Sequence, residues 1–399
     1  MFLTKEEEAM LDGEYGVAKA TAMKLLVTIG GIFEAKRLVK VKSAQISGVS
    51  YKNIGDAGLG FLQKLQDLKA KVTVPTTLNP AGMDLLRWRE IGFDEDFAKK
   101  QLLVADTFSS MGIAPTYTCT PYLAGNCPAK GEHIAWAESS AIVYANSVIG
   151  ALTNREGGPT SLACAIIGKT PLFGLHTKNG REPSHAIRLQ FHIDKPIEYS
   201  ALGYTIGKIN GCKIPFIEGR LDPSIDELKA LSASLAASGE IPMFHMQDVT
   251  PESSEVMKSL SECDHIEIER RDLRETLDEL SVKEEFDFVC IGCPHCSLSE
   301  LQKVAKMLGR NAVNRELWVF TSRYVREIAE KRGYVKRIER SGGKVISDTC
   351  MVVSPLEKFG FSGAITHSCK AAHYLPSTCK LKTDIRELKE CIRAAISQP

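Results

Sequence analysis

The last third of the chain alternates short β-branched runs with longer amphipathic ones, and this alternation constrains the fold more than any other feature. FDFVCIG (286–292) reads as a strand and Leu298 to Leu308 as a helix. LWVFTS (317–322) is a second strand, Arg323 to Arg340 one long basic helix, and KVISDTCMVV (344–353) a third strand region. A β-α-β-α-β order calls for parallel strands joined by right-handed crossovers. Parallel sheets are covered on both faces, so the fold class is α/β, with parallel β-sheets flanked by helices. Ligands of open α/β sheets sit beyond the carboxyl ends of the strands. Cys293 directly follows the first strand and Cys350 follows the start of the third, which points both thiols toward one crevice.

With 399 residues the chain exceeds what one core fills, so several α/β units are expected. We divide it at 1–195, 196–280 and 281–399. Thr4 and Glu7 form a capping box that opens a first helix, and a second runs from Val17 to Phe33. KSAQISGVSYKNIGDAG (Lys42 to Gly58) reads as a Ser/Gly-rich loop leading into a helix at Leu59 to Leu68; such a loop offers backbone N–H groups to an anion. KVTVP then predicts a strand, TTLNPAG a turn and MDLLRWREIG a helix. APTYTCTPY predicts a short strand ending at Cys119, followed by a helix from Glu132 to Ile149 and a polar loop at Asn154 to Pro159. His185 to Ile193 alternates as a strand, and Ala201 to Asp248 reads helix, strand, helix, strand.

Lys plus Arg number 50 against 49 for Asp plus Glu, so no global field recruits nucleic acid or an anionic membrane, and any anionic substrate must be held locally. No apolar run is long enough to span a bilayer. The acidic start, MFLTKEEEAM, lacks a signal-peptide core, and a cytoplasmic protein is expected. Twelve cysteines are many for a reducing compartment and raise the question of metal ligation. Cys164, Cys212, Cys263, Cys290 and Cys391 lie in apolar or helical surroundings and read as buried thiols. Cys290, Cys293 and Cys296 form C-x-x-C-x-x-C without the fourth cysteine of a ferredoxin run. A closed zinc site there would need His295 and would be cramped at a strand-to-helix corner, and a redox pair of Cys293 and Cys296 is a further reading. Three cysteines at separate strand ends, Cys119, Cys293 and Cys350, fit other chemistry. A four-iron cluster held by three thiolates leaves one iron as a Lewis acid for a substrate hydroxyl and carboxylate, which suits dehydration.

From end to end the sequence resembles the aconitase X family. The resemblance is carried by LTKEEEAMLDGEYG, KSAQISGVSYKNIGDAG, VPTTLNPAGMD, CTPYLAGN, GEHIAWAESSAIVYANSVIGALTNREGGP, IGCPHCSLSE and SDTCMVVSP. It implies an aconitase-like multidomain architecture around a [4Fe-4S] cluster, with ligand positions matching Cys119, Cys293 and Cys350. It also implies that the swivel domain, absent here, is a separate small subunit forming a heterodimer and carrying the proton-abstracting serine, so no base is assigned on this chain. Departures from the family pattern are Leu152, Cys127 and Cys296. The activity implied is dehydration of a small phosphorylated hydroxy acid, (R)-5-phosphomevalonate, to trans-anhydromevalonate 5-phosphate. Alternatives are dehydration of cis-3-hydroxy-L-proline and a cluster-binding regulatory or RNA-binding role, the last disfavoured by the charge balance. For the substrate we single out backbone N–H groups at Gly48, Val49 and Ser50, a second loop at Asn79 and Pro80, Glu138 and Ser139 for a hydroxyl, and Lys370 for an anion. Arg155 is a further candidate, for the substrate, for capping or for pairing between domains.

Overall fold

The computed structural model describes residues 1–284 and 286–397. Nine consecutive buried residues, Phe288–Cys296, form the central strand of a five-stranded sheet. A strand so placed has no solvent face, so it reads as a continuous apolar run rather than an alternation. Its neighbours are Glu316–Thr321 and Gly363–Thr366, with Lys344–Ile346 and Lys382–Ile385 at the edges, and every pairing is parallel. The register slips between Ile291 and Cys296. Gly292 sits in this slip at φ 104°, where a Cβ would lie 2.2 Å from the Phe320 carbonyl oxygen, so only glycine lets the strand turn against its neighbour. Ser297 and Glu300 then cap the helix Leu298–Leu308 reciprocally. The expected long basic helix is two, Arg323–Lys331 and Tyr334–Arg340, because Gly333 adopts φ 77° between them.

The N-terminal unit has a three-stranded parallel sheet, with Ala44–Ile46 between Thr76–Leu78 and Ala135–Trp136. Four sequence expectations change here. The stretch 42–58 is not one loop: it holds the strand Ala44–Ile46 and the start of the helix Tyr51–Asp67, which kinks at Gly55. KVTVP stops short of the strand, which lies at Thr76–Leu78. The stretch 114–122 makes only an isolated bridge from Ala114 to Thr77, since Pro115 has no N–H to donate and Tyr117 turns at φ 43°. Cys119 therefore sits in an irregular segment rather than at a strand end. The helix expected at 132–149 begins only at Ser139, after the strand Ala135–Trp136, and ends in a π turn at Ala145–Ile149.

The middle sheet is also parallel, in the order His245–Met246, Pro215–Glu218, His185–Leu189, Asp264–Ile268. His185–Leu189 pairs with both Pro215–Glu218 and Asp264–Ile268, so the middle unit begins before the division expected at 195. The helices Pro196–Gly207 and Ile225–Ser238 pack closely over it. A Cβ on Gly203 would lie 2.5 Å from the Leu231 carbonyl oxygen, so glycine sets that separation. One apolar cluster joins this unit to Tyr144 and Ala145 of the first and to Cys369 and Ala372 of the third, so the units are not separate cores.

Candidate functional site

Cys119, Cys293 and Cys350 arrive from three separate segments and are 6 %, 7 % and 8 % exposed, whereas Cys164, Cys290, Cys369 and Cys391 are 0 % exposed. The first three are thus nearly but not fully closed off, as is Cys212 at 8 %. Burial pushes all three thiols up, Cys293 and Cys350 to about 12. The charge of Cys350 acts on Cys119, that of Cys119 on Cys293 and that of Cys293 on Cys350, which makes one electrostatically coupled locus. The Lys370 ammonium opposes the rise at each of them.

Hydrogen-bond donors also aim at the sulfurs. The His295 N–H donates to Cys119 Sγ at 3.2 Å, and the Val352 and Val353 N–H groups beside Cys350 and the Ser368 hydroxyl beside Cys293 counter the rise of those thiols. Donors and a cation around a sulfur favour thiolate, the form that ligates metal. Among the described residues no group of three or more His, Cys, Asp or Glu is set to hold a single metal ion. Three buried thiols with N–H donors and one cation fit a larger, multi-iron group better than a tetrahedral ion, whose ligands must crowd within about 2.3 Å of it.

The substrate candidates fall at two ends of this locus. At the Cys350 end, Ser50 Oγ donates to the Val353 carbonyl at 2.8 Å, and the Ala81 N–H, just past Asn79 and Pro80, donates to the Asp348 carbonyl at 2.7 Å. Gln101, which the sequence did not single out, ties the two loops together. Its Oε1 accepts from the N–H groups of Tyr51 at 2.9 Å and Gly82 at 2.8 Å, and its Nε2 donates to the Val49 carbonyl at 2.9 Å. A fully buried glutamine on an amphipathic helix leaves no pattern in sequence. Among the described residues, none accepts a hydrogen bond from the N–H groups of Gly48, Val49 or Ser50.

At the other end, Glu138 is the N-cap of Ser139–Tyr144. It accepts from the Ala141 N–H at 2.6 Å, the Ser140 hydroxyl at 2.7 Å and Lys370 Nζ at 2.7 Å. Lys370 also donates to Ser139 and Ser140. Glu138, Ser139 and Lys370 are therefore partners of one another. Arg155 lies 4.0 Å from Glu240 of the middle unit, an interdomain pairing. A crevice of about 240 Å³ between the middle and C-terminal units reaches Cys293 and is walled by Lys229, Pro294, His367 and Ser368. Lys229, also missed from sequence, is buried; Glu300 and Asp226 hold it charged against that burial.

Comparison with known proteins follows the same lines. The family models for the aconitase X first, second and third domains match residues 1–179, 183–278 and 286–397. The chain is 48 % identical over 401 residues to the phosphomevalonate dehydratase large subunit of Methanocaldococcus jannaschii, covering 98 % of this chain and 100 % of that one. It is 34 % identical to the cis-3-hydroxy-L-proline dehydratase of Pseudomonas aeruginosa, covering 98 % of this chain and 69 % of that protein. The holo-form crystal structure of Thermococcus kodakaraensis aconitase X superposes with a TM-score of 0.93 at 41 % identity, over 99 % of this chain and 100 % of that one.

Proposed function

The chain belongs to the aconitase X family, and from that membership we propose that it is the large subunit of a hydro-lyase that dehydrates (R)-5-phosphomevalonate to trans-anhydromevalonate 5-phosphate. The observation that carries this reading is the end-to-end correspondence with a phosphomevalonate dehydratase large subunit at 48 % identity. The hydroxyproline dehydratase is more distant, at 34 %, and extends well past the matched region. A small swivel-domain subunit completes the enzyme as a heterodimer, a step supported by the words "large subunit" in the relative's name. Twelve free cysteines support a reducing, cytoplasmic setting. Among the described residues no helix is long and apolar enough to cross a membrane.

Dehydration breaks a C–O bond and takes a proton from the neighbouring carbon, so the hydroxyl must become a tolerable leaving group. Cys119, Cys293 and Cys350 would hold the [4Fe-4S] cluster, which when bound supplies a Lewis acid at an iron without a protein ligand. The N–H groups of Gly48, Val49 and Ser50, with the loop at Asn79 and Pro80, bind the anionic part of the substrate. Lys370, locked to Glu138, offsets the negative charge of the three sulfurs. Near-complete burial of the thiols keeps water from them. The proton acceptor belongs to the partner subunit.

The test is anaerobic co-expression with the small subunit and assay of both compounds. Phosphomevalonate should be dehydrated and cis-3-hydroxy-L-proline should not; a preference for hydroxyproline overturns the substrate. Cys119→Ser, Cys293→Ser and Cys350→Ser should each abolish the visible absorbance of the anaerobic protein, and Cys290→Ser should leave it; the reverse pattern overturns the ligand set.

A further inference from the structure

We infer that His295 is the positioning residue that fixes the three cysteine-bearing segments against one another, an inference that rests on reading those segments as one cluster-holding locus. The sequence offers His295 as a zinc ligand or as part of a redox motif. In the structure it is fully buried and both ring nitrogens are engaged. Nε2 lies 2.8 Å from the Thr349 carbonyl, which only accepts, so Nε2 carries the proton. Nδ1 then accepts from the Thr118 hydroxyl at 3.0 Å. That assignment is consistent with the rest of the network, since the Thr118 oxygen in turn accepts from the Thr120 N–H at 3.1 Å.

Thr118 immediately precedes Cys119 and Thr349 immediately precedes Cys350, 177 and 54 residues from His295 in the chain. The backbone of His295 adds two more ties. Its N–H donates to Cys119 Sγ at 3.2 Å, and its carbonyl accepts from Lys229 Nζ of the middle unit at 3.0 Å. One residue of the Cys293 tract is therefore bonded to the Cys119 segment, the Cys350 segment and the middle unit. A neutral imidazole supplies one donor and one acceptor on a flat, rigid frame. An apolar side chain would leave the Thr349 carbonyl without its donor in a site closed to water, and would cut the Thr118 hydroxyl from the Cys293 tract, leaving it only Thr120 as a partner.

The test uses the full chain carrying His295→Ala, Thr118→Val or Thr118→Ser, both iron-free and after anaerobic reconstitution with iron and sulfide. In the iron-free chain, iodoacetamide labelling read by mass spectrometry follows each thiol. Cys119 and Cys350 should label at least tenfold faster in His295→Ala and Thr118→Val, while Cys164 and Cys391, in other parts of the core, stay as in wild type. Thr118→Ser keeps the donor and should behave as wild type. After reconstitution the same two variants should lose iron to a chelator at least tenfold faster and change the electron paramagnetic resonance signal of the reduced sample. Wild-type labelling and iron retention in both variants overturn the role. So does Thr118→Val labelling Cys164 and Cys391 as fast as Cys119, which would mean general loosening; if His295→Ala alone does so, Thr118→Val decides. A wild-type chain that takes up no iron defeats the cluster reading, while the labelling arm still decides the role of His295.

Discussion

Lys370 has three ammonium protons, and the structure gives each a partner: Glu138 at 2.7 Å, Ser139 at 3.2 Å and Ser140 at 3.1 Å. A lysine so occupied has no donor left for a substrate phosphate, and its charge instead serves the neighbouring sulfurs. Lys370→Met should destabilise the iron-free chain by about 3–5 kcal/mol, because it strands the Glu138 carboxylate in a buried site. Adding Glu138→Gln should recover much of that loss. Urea unfolding of the single and double variants checks this, and a double variant as unstable as the sum of the singles would contradict it. At this scale the sequence singled out Cys119, Cys293 and Cys350 through predicted strand ends and through the family resemblance, although Cys119 lies at no strand end. Gln101, Thr118 and Lys229 were not legible. Their partners lie in distant segments, and a side chain bonding a remote carbonyl leaves no spacing to read.

Among the elements, those with a repeated period were legible and the short ones were not. The helices Val17–Ile32 and Leu298–Leu308 stand close to where the sequence puts them, while the strand expected at 286–292 runs on to Cys296 and so takes in Cys293, expected just after it. Three-residue strands such as Ala44–Ile46 and Thr76–Leu78 are too short to show alternation, and tertiary pairing decides them. The short 3₁₀ turn Gly174–His176 carries a pH response of its own. His176 Nδ1 lies 2.9 Å from His133 Nδ1, and burial, then the charges of His133 and Arg181, push the His176 imidazole down to about 3. An unfolded histidine titrates near 6.5. Between these values the unfolded chain binds a proton that the folded chain refuses, so stability falls as the pH drops through this window. At pH 5 the loss from His176 is about 2 kcal/mol relative to pH 7.5. Urea midpoints of wild type and His176→Asn at the two pH values read it, and equal pH slopes for both proteins would rule it out.

In the whole molecule, three parallel sheets share apolar clusters across the divisions drawn from sequence, which is why the division at 195 fails and why the α/β class nevertheless reads correctly: class follows from local alternation, while boundaries follow from which strands pair. One buried polar tie between the middle and C-terminal units is Lys229, on the helix Ile225–Ser238, which meets Glu300 and the His295 carbonyl on one side and Asp226 on its own helix; Tyr204 with His373 and Ser200 with the Cys369 N–H are others. Burial disfavours its charge and the two carboxylates restore it, so the pair is held on both sides of the seam. Lys229→Met should remove that tie while filling nearly the same volume. Because Glu300 also accepts from the Ser297 N–H at 2.8 Å, its carboxylate is left half-satisfied and buried, a loss of about 3–5 kcal/mol placed at the seam. The consequence is loss of coupling between the units before loss of either sheet. Hydrogen exchange should therefore quicken at least tenfold in Ile225–Ser238 and in the turn 293–297. The interior strand Glu316–Thr321, stitched on both edges by parallel neighbours, should keep its wild-type protection. If protection instead falls equally in all three regions, Lys229 contributes to global stability alone and the seam is held by its apolar contacts.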